Sequence, residues 1–467
     1  MKAIITTLFI TFSLINAFSQ DILGVWHGIA TTPDGKEVTF VYLFEKDGET
    51  YKSTMAVPTF NVSGVKPKST KLVDGKLTIS SPELGMKYEG NWNKSTDQIE
   101  GKYTEGGVQL DLTLIKGNPQ AAKLNRPQEP VKPYPYHEEE VTFQNENAGV
   151  KLAGTFTRPK PKGKYPVVIL ISGSGPQDRN ESWMTHRPFL VLADYLTRQG
   201  IAVLRYDDRG FGESTGDFSK ATTADFAQDV MAATKYLKTR KDIDVNNIGL
   251  IGHSEGGIIA PLAANQTFDI AFIVTLAATG VPGREISVMQ AKSLRPFPVP
   301  DEEAFEQNVR KAIQIATSDK ELSTKRKELD AHNKAYLAPI LTSLGAPEEN
   351  IAKLLQNETE TLLKPWNRYF FQYNPADEFE KLTIPILSLN GTKDIQVDAQ
   401  INQTAIRKAL KKGGNKHFKI ITLENMNHLF QECETGKMEE YKEIEQTMSP
   451  KALKVISDWI LEIVQKK

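Results

Sequence analysis

Six stretches of unbroken hydrophobicity constrain this chain more than any other feature. They are VVILISGSG, IAVLRYDDRGFGES, IGLIGHSEGG, AFIVTLAATG, IPILSLNGTKD and FKIITLENMNH, all beyond residue 165. A strand with one wet face alternates apolar and polar residues. A continuous apolar run must be buried on both faces, which happens when helices cover both sides of a mostly parallel sheet. The segments between the runs supply such helices. In ATTADFAQDVMAATKYLK, Phe226, Val230, Ala233 and Leu237 share one helical face behind a threonine start signal. In SPKALKVISDWILEIVQKK, Ser449 is a ready N-cap and Pro450 suits the first turn. A hairpin over Val141 to Phe156 precedes the runs. Roughly a hundred residues separate the strand ending near Ala277 from the one starting at Ile384, too many for a structureless connection. Residues 281–375 are therefore expected to form a helical insertion covering one end of the sheet.

Upstream the pattern changes kind. From Gly24 to about Lys116 the period is two, as in Val38, Phe40, Tyr42, Phe44 and in Val108, Leu110, Leu112, Leu114. Turn signals such as Asp74-Gly75 separate the runs, so residues 21–118 read as a small all-β sandwich or barrel. Trp26, Trp92 and Tyr103 are expected in its core rather than on a ligand face. Five prolines between Pro119 and Pro135 mark residues 119–137 as an extended linker, leaving 138–467 as the second domain. At the start, Lys2, the apolar Ile4 to Ile15 and the small residues Ala17-Phe18-Ser19 compose a secretory leader over residues 1–20. The mature chain is thus expected to begin near Gln20 and to work in the periplasm or outside the cell, with no integral membrane span after cleavage. A net charge of −1 gives no electrostatic reason to expect nucleic acid as a partner. The single cysteine, Cys433, excludes an internal disulfide and any thiolate-rich metal site.

The chemistry gathers at the carboxyl ends of the apolar runs, where an open parallel sheet places its ligand site. Ser254 closes the strand GLIG and opens the helix GGIIAPLAAN, with Gly252 and Gly256 on either side where a Cβ would not fit. That is the context of a nucleophile elbow. A serine hydroxyl needs a base, and the base needs an acid to orient it. Along the chain the acid then the histidine should follow. ILSLNG ends at Asp394, the expected acid, with Asp398 as the second choice on the next helix. Of seven histidines only His417 and His428 come after the acid. His428 follows the last strand and can reach over the sheet, whereas His417 starts that strand at its far end, so His428 is the expected base. The oxyanion requires preorganised N–H donors. Glu255 N–H should be one and Ser174 N–H, in Ser172-Gly173-Ser174-Gly175-Pro176, the other, with Gly175 the alternative. The Gly-Ser-Gly turn lacks the GK[ST] ending of a phosphate loop. Asp208 and Arg209 are expected to form an ion pair bracing their loop.

SGSGPQDRNE (172–181), YDDRGFGES, GHSEGG, LNGTKDIQV and NMNHLFQ, in this order, resemble the EstD-type bacterial esterases of the α/β-hydrolase superfamily over residues 138–467. The resemblance implies an α/β-hydrolase fold: a doubly wound, mostly parallel sheet with a helical cap insertion, here preceded by the small all-β domain. It implies hydrolysis of carboxylic esters with short acyl chains, no metal or organic cofactor, and Ser254, Asp394 and His428 as nucleophile, acid and base. The insertion resembles the cap of such hydrolases, and the front domain is similar to small modules fused ahead of them. The expected function is an exported serine carboxylesterase acting on small-molecule esters of short to medium acyl chains, acylated carbohydrates among them, through an acyl-enzyme. A serine peptidase or an acyltransferase on the same fold, or a binding protein that no longer turns over, are the alternatives.

Overall fold

The computed structural model describes residues 21–465 apart from 33–34, 36, 49, 58–61, 83–84, 107, 118–124, 296–297 and 347. The expected leader over 1–20 and the first residues of the expected linker lie outside the described residues. The chain divides into two compact units, Met1–Lys123 and Leu124–Lys467.

Among its described residues the first unit has nine strands. They are β1 (Gly24–Thr31), β2 (Glu37–Asp47), β3 (Thr50–Val57), β4 (Val62–Val65) and β5 (Ser69–Val73). Then come β6 (Lys76–Ser81), β7 (Met86–Asn93), β8 (Gln98–Glu105) and β9 (Val108–Lys116). Each strand pairs antiparallel with its neighbour, β1 also pairs with β9, and β3 pairs with both β2 and β5. Eight strands therefore close into a ring, with β4 lying beside β3. Closure removes the sheet edges that an open sandwich would expose. Alternate residues of β2, namely Val38, Phe40, Tyr42 and Phe44, point inward and are buried. Trp26 meets Trp92 edge-on at 6.5 Å between ring centroids, and Phe40 packs on Tyr103 at 4.5 Å. These aromatics fill the barrel. Tyr88 keeps its hydroxyl satisfied there by donating to the carbonyl oxygens of Ile99 and Leu112.

The second unit is built on an eight-stranded sheet. Its strands are β10 (His137–Asn145), β11 (Val150–Arg158), β12 (Tyr165–Ile171), β13 (Ala202–Tyr206), β14 (Ile243–His253), β15 (Phe272–Leu276), β16 (Ile386–Gly391) and β17 (Phe418–Leu423). Their spatial order is β10-β11-β13-β12-β14-β15-β16-β17. The first two form the expected hairpin, β11 joins β13 antiparallel, and every other pairing is parallel. Helices α1 (Pro188–Arg198) and α11 (Pro450–Gln465) bury one face of the sheet, where Val168, Leu170, Val203, Ile251 and Val274 lie. Helices α2 (Thr223–Lys238), α3 (Gly256–Ala264), α9 (Pro375–Lys381) and α10 (Ala399–Lys412) bury the other, with Val167, Ile169, Ile171, Leu204 and Leu250. Successive residues of β12 thus enter two different cores, the physical reason its apolar run is unbroken. Between β15 and α9 the insertion supplies α4 (Gly283–Ser293), α5 (Glu302–Thr317), α6 (Leu322–Ser343), α7 (Glu348–Leu363) and α8 (Pro365–Gln372). Among the described residues no helix is long and apolar enough to cross a membrane.

One expectation needs correction. The proline-rich segment is not a free spacer along its length. The Arg126 guanidinium donates to the carbonyl oxygens of Ile444 and Lys442, and Gln128 exchanges hydrogen bonds with the backbone of Thr447 and Met448. Prolines keep the strip extended, and its polar side chains find backbone partners in the second unit, which starts at Leu124 rather than at 138.

Candidate active site

Strand β14 lies between β12 and β15 in the middle of the sheet, pairing Gly252 with Ile171 and His253 with Leu276. Its last residue is followed by Ser254, whose φ of +52° is left-handed, and two residues later α3 begins. A serine there costs of order 1–2 kcal/mol relative to right-handed backbone. The turn is held in place by a hydrogen bond from Ser254 N–H to Leu276 O at 2.8 Å. A Cβ on Gly252 would sit 1.9 Å from Gly256 O, and one on Gly256 would sit 2.1 Å from Ile171 O. Both positions must be glycine for strand, turn and helix to approach this closely, so the hydroxyl is presented at the carboxyl end of the sheet.

The expected acid and base, Asp394 and His428, meet each other. Asp394 follows β16 and its Oδ1 accepts the N–H groups of Gln396 and Val397, both at 2.9 Å, which fixes the carboxylate. Its Oδ2 lies 2.7 Å from His428 Nδ1, and both side chains are buried. The Asp394 contact holds the tautomer with the proton on Nδ1 and leaves Nε2 to act on a hydroxyl. Asp398, the second choice, instead caps α10 by accepting Ile401 N–H. His417 is exposed at the start of β17, at the opposite end of the sheet. His186 is buried between Thr447 and Tyr441 O, where burial pushes it down to about 4.

Opposite the elbow, the loop 172–177 is fastened at both ends by one carboxyl group. Asp208 accepts Ser172 Oγ–H at 2.8 Å and Gln177 N–H at 2.9 Å, and burial holds its pKa well above the usual range. A Cβ placed on Gly173 would be 3.3 Å from Ser254 Cβ, so this loop borders the nucleophile directly. The N–H of Gly173 is taken by Glu181 at 2.8 Å. Among the described residues, the N–H groups of Ser174, Gly175 and Glu255 donate to no protein acceptor, so they are the ones free for an oxyanion. The Glu255 side chain is buried and gathers three neighbours: Thr223 Oγ1 and Trp366 Nε1, each donating at 2.7 Å, and the Ser174 side chain. Burial raises its pKa while these hydrogen bonds pull the other way.

Two residues without a role in the sequence reading bind the site together. His253 Nδ1 is 2.8 Å from Glu181 Oε1, and its Nε2 is 2.9 Å from the carbonyl oxygen of His428. The residue before Ser254 thus holds the loop of His428, and Glu181 holds both His253 and the loop after β12. Both residues stand in quoted motifs, GHSEGG and SGSGPQDRNE. The 72-residue separation hid their pairing. Asp208 and Arg209 do not pair with each other. Consecutive loop residues point apart, so Asp208 goes to Ser172 and Gln177, and Arg209 makes a double contact with Asp229 of α2. Asp207 instead holds Arg179. Among the described residues no group of three or more His, Cys, Asp or Glu is placed to hold a metal ion.

Residues 148–429 match the family model described as X-Pro dipeptidyl-peptidase (S15 family). Esterase EstD of Thermotoga maritima is 28% identical over 299 residues, 64% of this chain and 61% of that protein. An acyl transferase of Photorhabdus luminescens is 33% identical over 126 residues, 27% of this chain and 37% of that one. The chain therefore spans about three fifths of the first relative's length and well under half of the second's. Among solved structures, an esterase of Pyrococcus furiosus aligns over 70% of this chain and 91% of its own, with 14% identity and a TM-score of 0.44.

Proposed function

Because this chain belongs to the S15 family and is related to the EstD-type esterases of the α/β-hydrolase superfamily, a hydrolase, we propose that it is a serine carboxylesterase. Its substrates are short- to medium-chain carboxylic esters, acylated carbohydrates among them. The observation that carries this reading is the Asp394–His428 contact at 2.7 Å beside a serine held at φ +52° on a strand-to-helix turn. In the proposed reaction Ser254 Oγ attacks the ester carbonyl carbon as His428 Nε2 takes its proton. Asp394 keeps the imidazole oriented and stabilises the imidazolium. The carbonyl oxygen becomes an oxyanion facing the N–H groups of Ser174 and Glu255. Collapse expels the alkoxide, which takes the proton from His428 and leaves as alcohol. Water, deprotonated by His428, then attacks the acyl-Ser254 carbonyl; the acyl C–Oγ bond breaks, His428 returns the proton to Ser254 Oγ, and the carboxylic acid leaves. Residues 1–20 direct export, and the enzyme works in the periplasm or outside the cell.

The test is hydrolysis of p-nitrophenyl esters of graded acyl length by the full chain beside Ser254→Ala. Turnover that disappears in the variant supports the esterase. The family's description favours a second reading, a peptidase, which the same nucleophile and base would serve. Release of p-nitroaniline from Xaa-Pro-p-nitroanilides, with no turnover of esters, would replace the first reading by the second.

A further inference from the structure

The insertion encloses a cavity of its own. Its volume is about 550 Å³, and every residue that lines it lies between Ser287 and Phe371. The walls are chiefly apolar, among them Ala312, Leu337, Leu355, Trp366, Phe370 and Phe371. Of its two charged lining residues, Arg295 is paired with Glu302 and lies over the Phe305 ring, and Glu358 stands at the rim, exposed over part of its side chain while burial pushes its carboxyl pKa up. Arg295 is thus neutralised by its partner, and the upward shift of Glu358 favours its uncharged form beside an apolar occupant. The volume is in the range of pockets that enclose whole small ligands. An acetyl or butyryl group would leave most of it empty.

Two observations join this cavity to the elbow. Trp366 is a wall of the cavity, stacks on Phe370 at 4.9 Å, and donates its indole N–H to Glu255, the residue after Ser254. The apolar cluster around the cavity includes Ala312, Ile313, Phe370 and Phe371, and it is continuous with Ile258 of α3 and Val397 of the Asp394 turn. The cap core is therefore built directly onto the segments that carry the nucleophile and the acid.

Resting on the esterase reading, we infer that the cap cavity holds the acyl chain of the substrate, and that this chain is an extended apolar one of about eight to twelve carbons. Trp366 stands between the chain and the oxyanion loop. Filling the cavity holds the indole on Glu255, and through Glu255 it holds Ser174. Each methylene that enters the cavity is worth about fourfold in kcat/KM until the space is full.

The experiment measures kcat/KM for p-nitrophenyl acetate, butyrate, octanoate and decanoate with the full chain and with Ala312→Trp, which fills the cavity from α5. Leu355→Trp fills it from α7 should the first variant fail to fold. Thermal melting of each protein with and without decanoate supplies a readout independent of turnover. The expected result is a rise from acetate to decanoate that is lost in the filled variants while acetate turnover stays within about twofold of wild type. Decanoate should raise the melting temperature of wild type and not that of the variants. Ester turnover that falls beyond butyrate and is untouched by filling would overturn the inference and leave the esterase intact. Absence of ester turnover together with a melting shift confined to wild type would overturn the esterase and retain the cavity as an acyl-binding site. Absence of both would overturn both.

Discussion

Replacing Glu181 by Gln removes one charge from a pair enclosed on both sides, since Glu181 is 3% and His253 6% exposed. Both ring nitrogens of His253 face oxygen acceptors, Glu181 Oε1 at 2.8 Å and His428 O at 2.9 Å. The ring makes both contacts as donor only when it carries two protons. Burial alone would lower its pKa, but the Glu181 charge and hydrogen bond outweigh burial and leave it raised. In Glu181→Gln that support is gone, the ring becomes neutral, and one nitrogen turns a lone pair toward an acceptor. Gln keeps an acceptor oxygen, so the loss is that of a charge-assisted hydrogen bond, about 2–3 kcal/mol, below the 3–5 kcal/mol of a fully broken buried pair. For a domain of this size each kcal/mol is about 2–4 °C, so the melting temperature should fall by roughly 4–12 °C. A raised folded pKa means that the wild-type advantage is fully present below the unfolded value of about 6.5 and is lost as pH rises through the folded value. The gap should be widest near pH 6 and should shrink as pH rises toward 9 through the raised folded value. Because His253 anchors the loop of His428, kcat should also fall tenfold or more, about 1.4 kcal/mol of transition-state stabilisation, with KM nearly unchanged. The assay is calorimetry at both pH values with initial rates on p-nitrophenyl butyrate. Equal melting temperatures and equal kcat at pH 6 would refute the reasoning.

Three further outcomes follow from the same geometry. Ser254→Gly should be more stable in urea than Ser254→Ala by about 1 kcal/mol, because only glycine is unstrained at φ +52°; equal midpoints would contradict the strain. Asp394→Asn should lower kcat by about 10⁴ by favouring the wrong imidazole tautomer, whereas Asp398→Ala should cost about 1 kcal/mol of stability as a lost cap and leave kcat alone; the reverse pattern in steady-state kinetics would exchange their roles. Gly256→Ala drives a Cβ to 2.1 Å from Ile171 O and should lose more than about 3 kcal/mol, read as a collapse of melting temperature and soluble yield; a wild-type melting temperature would show that the elbow has slack.

The second sheet was legible because strands buried on two faces have no polar residues to interrupt them, as Val167 to Ile171 show by sending alternate side chains into two cores. The elbow was legible because strand, turn and helix are continuous in sequence and Gly252 answers to the backbone of Gly256 just beyond the turn, although Gly256 itself packs on Ile171 of another strand. The first unit was legible as β, but a sandwich and a barrel share the same alternation. What separates them is the β1–β9 and β2–β3 pairing, which no single strand encodes. The Asp208–Arg209 pair failed because adjacency along a loop sends side chains apart, and each charge found a partner folded in from elsewhere. His253 and Glu181 stood in plain view, but a clamp between residues 72 apart exists only once the central strand and the following loop are laid side by side.

The proposed reaction turns on Ser254 being the nucleophile that His428 activates. The most direct measurement is the intact mass of the full chain after reaction with diisopropyl fluorophosphate, with peptide mapping of the adduct. The prediction is one phosphoryl group on Ser254, absent in Ser254→Ala and slowed by orders of magnitude in His428→Ala, with ester hydrolysis lost in proportion to labelling. Hydrolysis that persists in the fully labelled protein, or labelling at another residue, would contradict it.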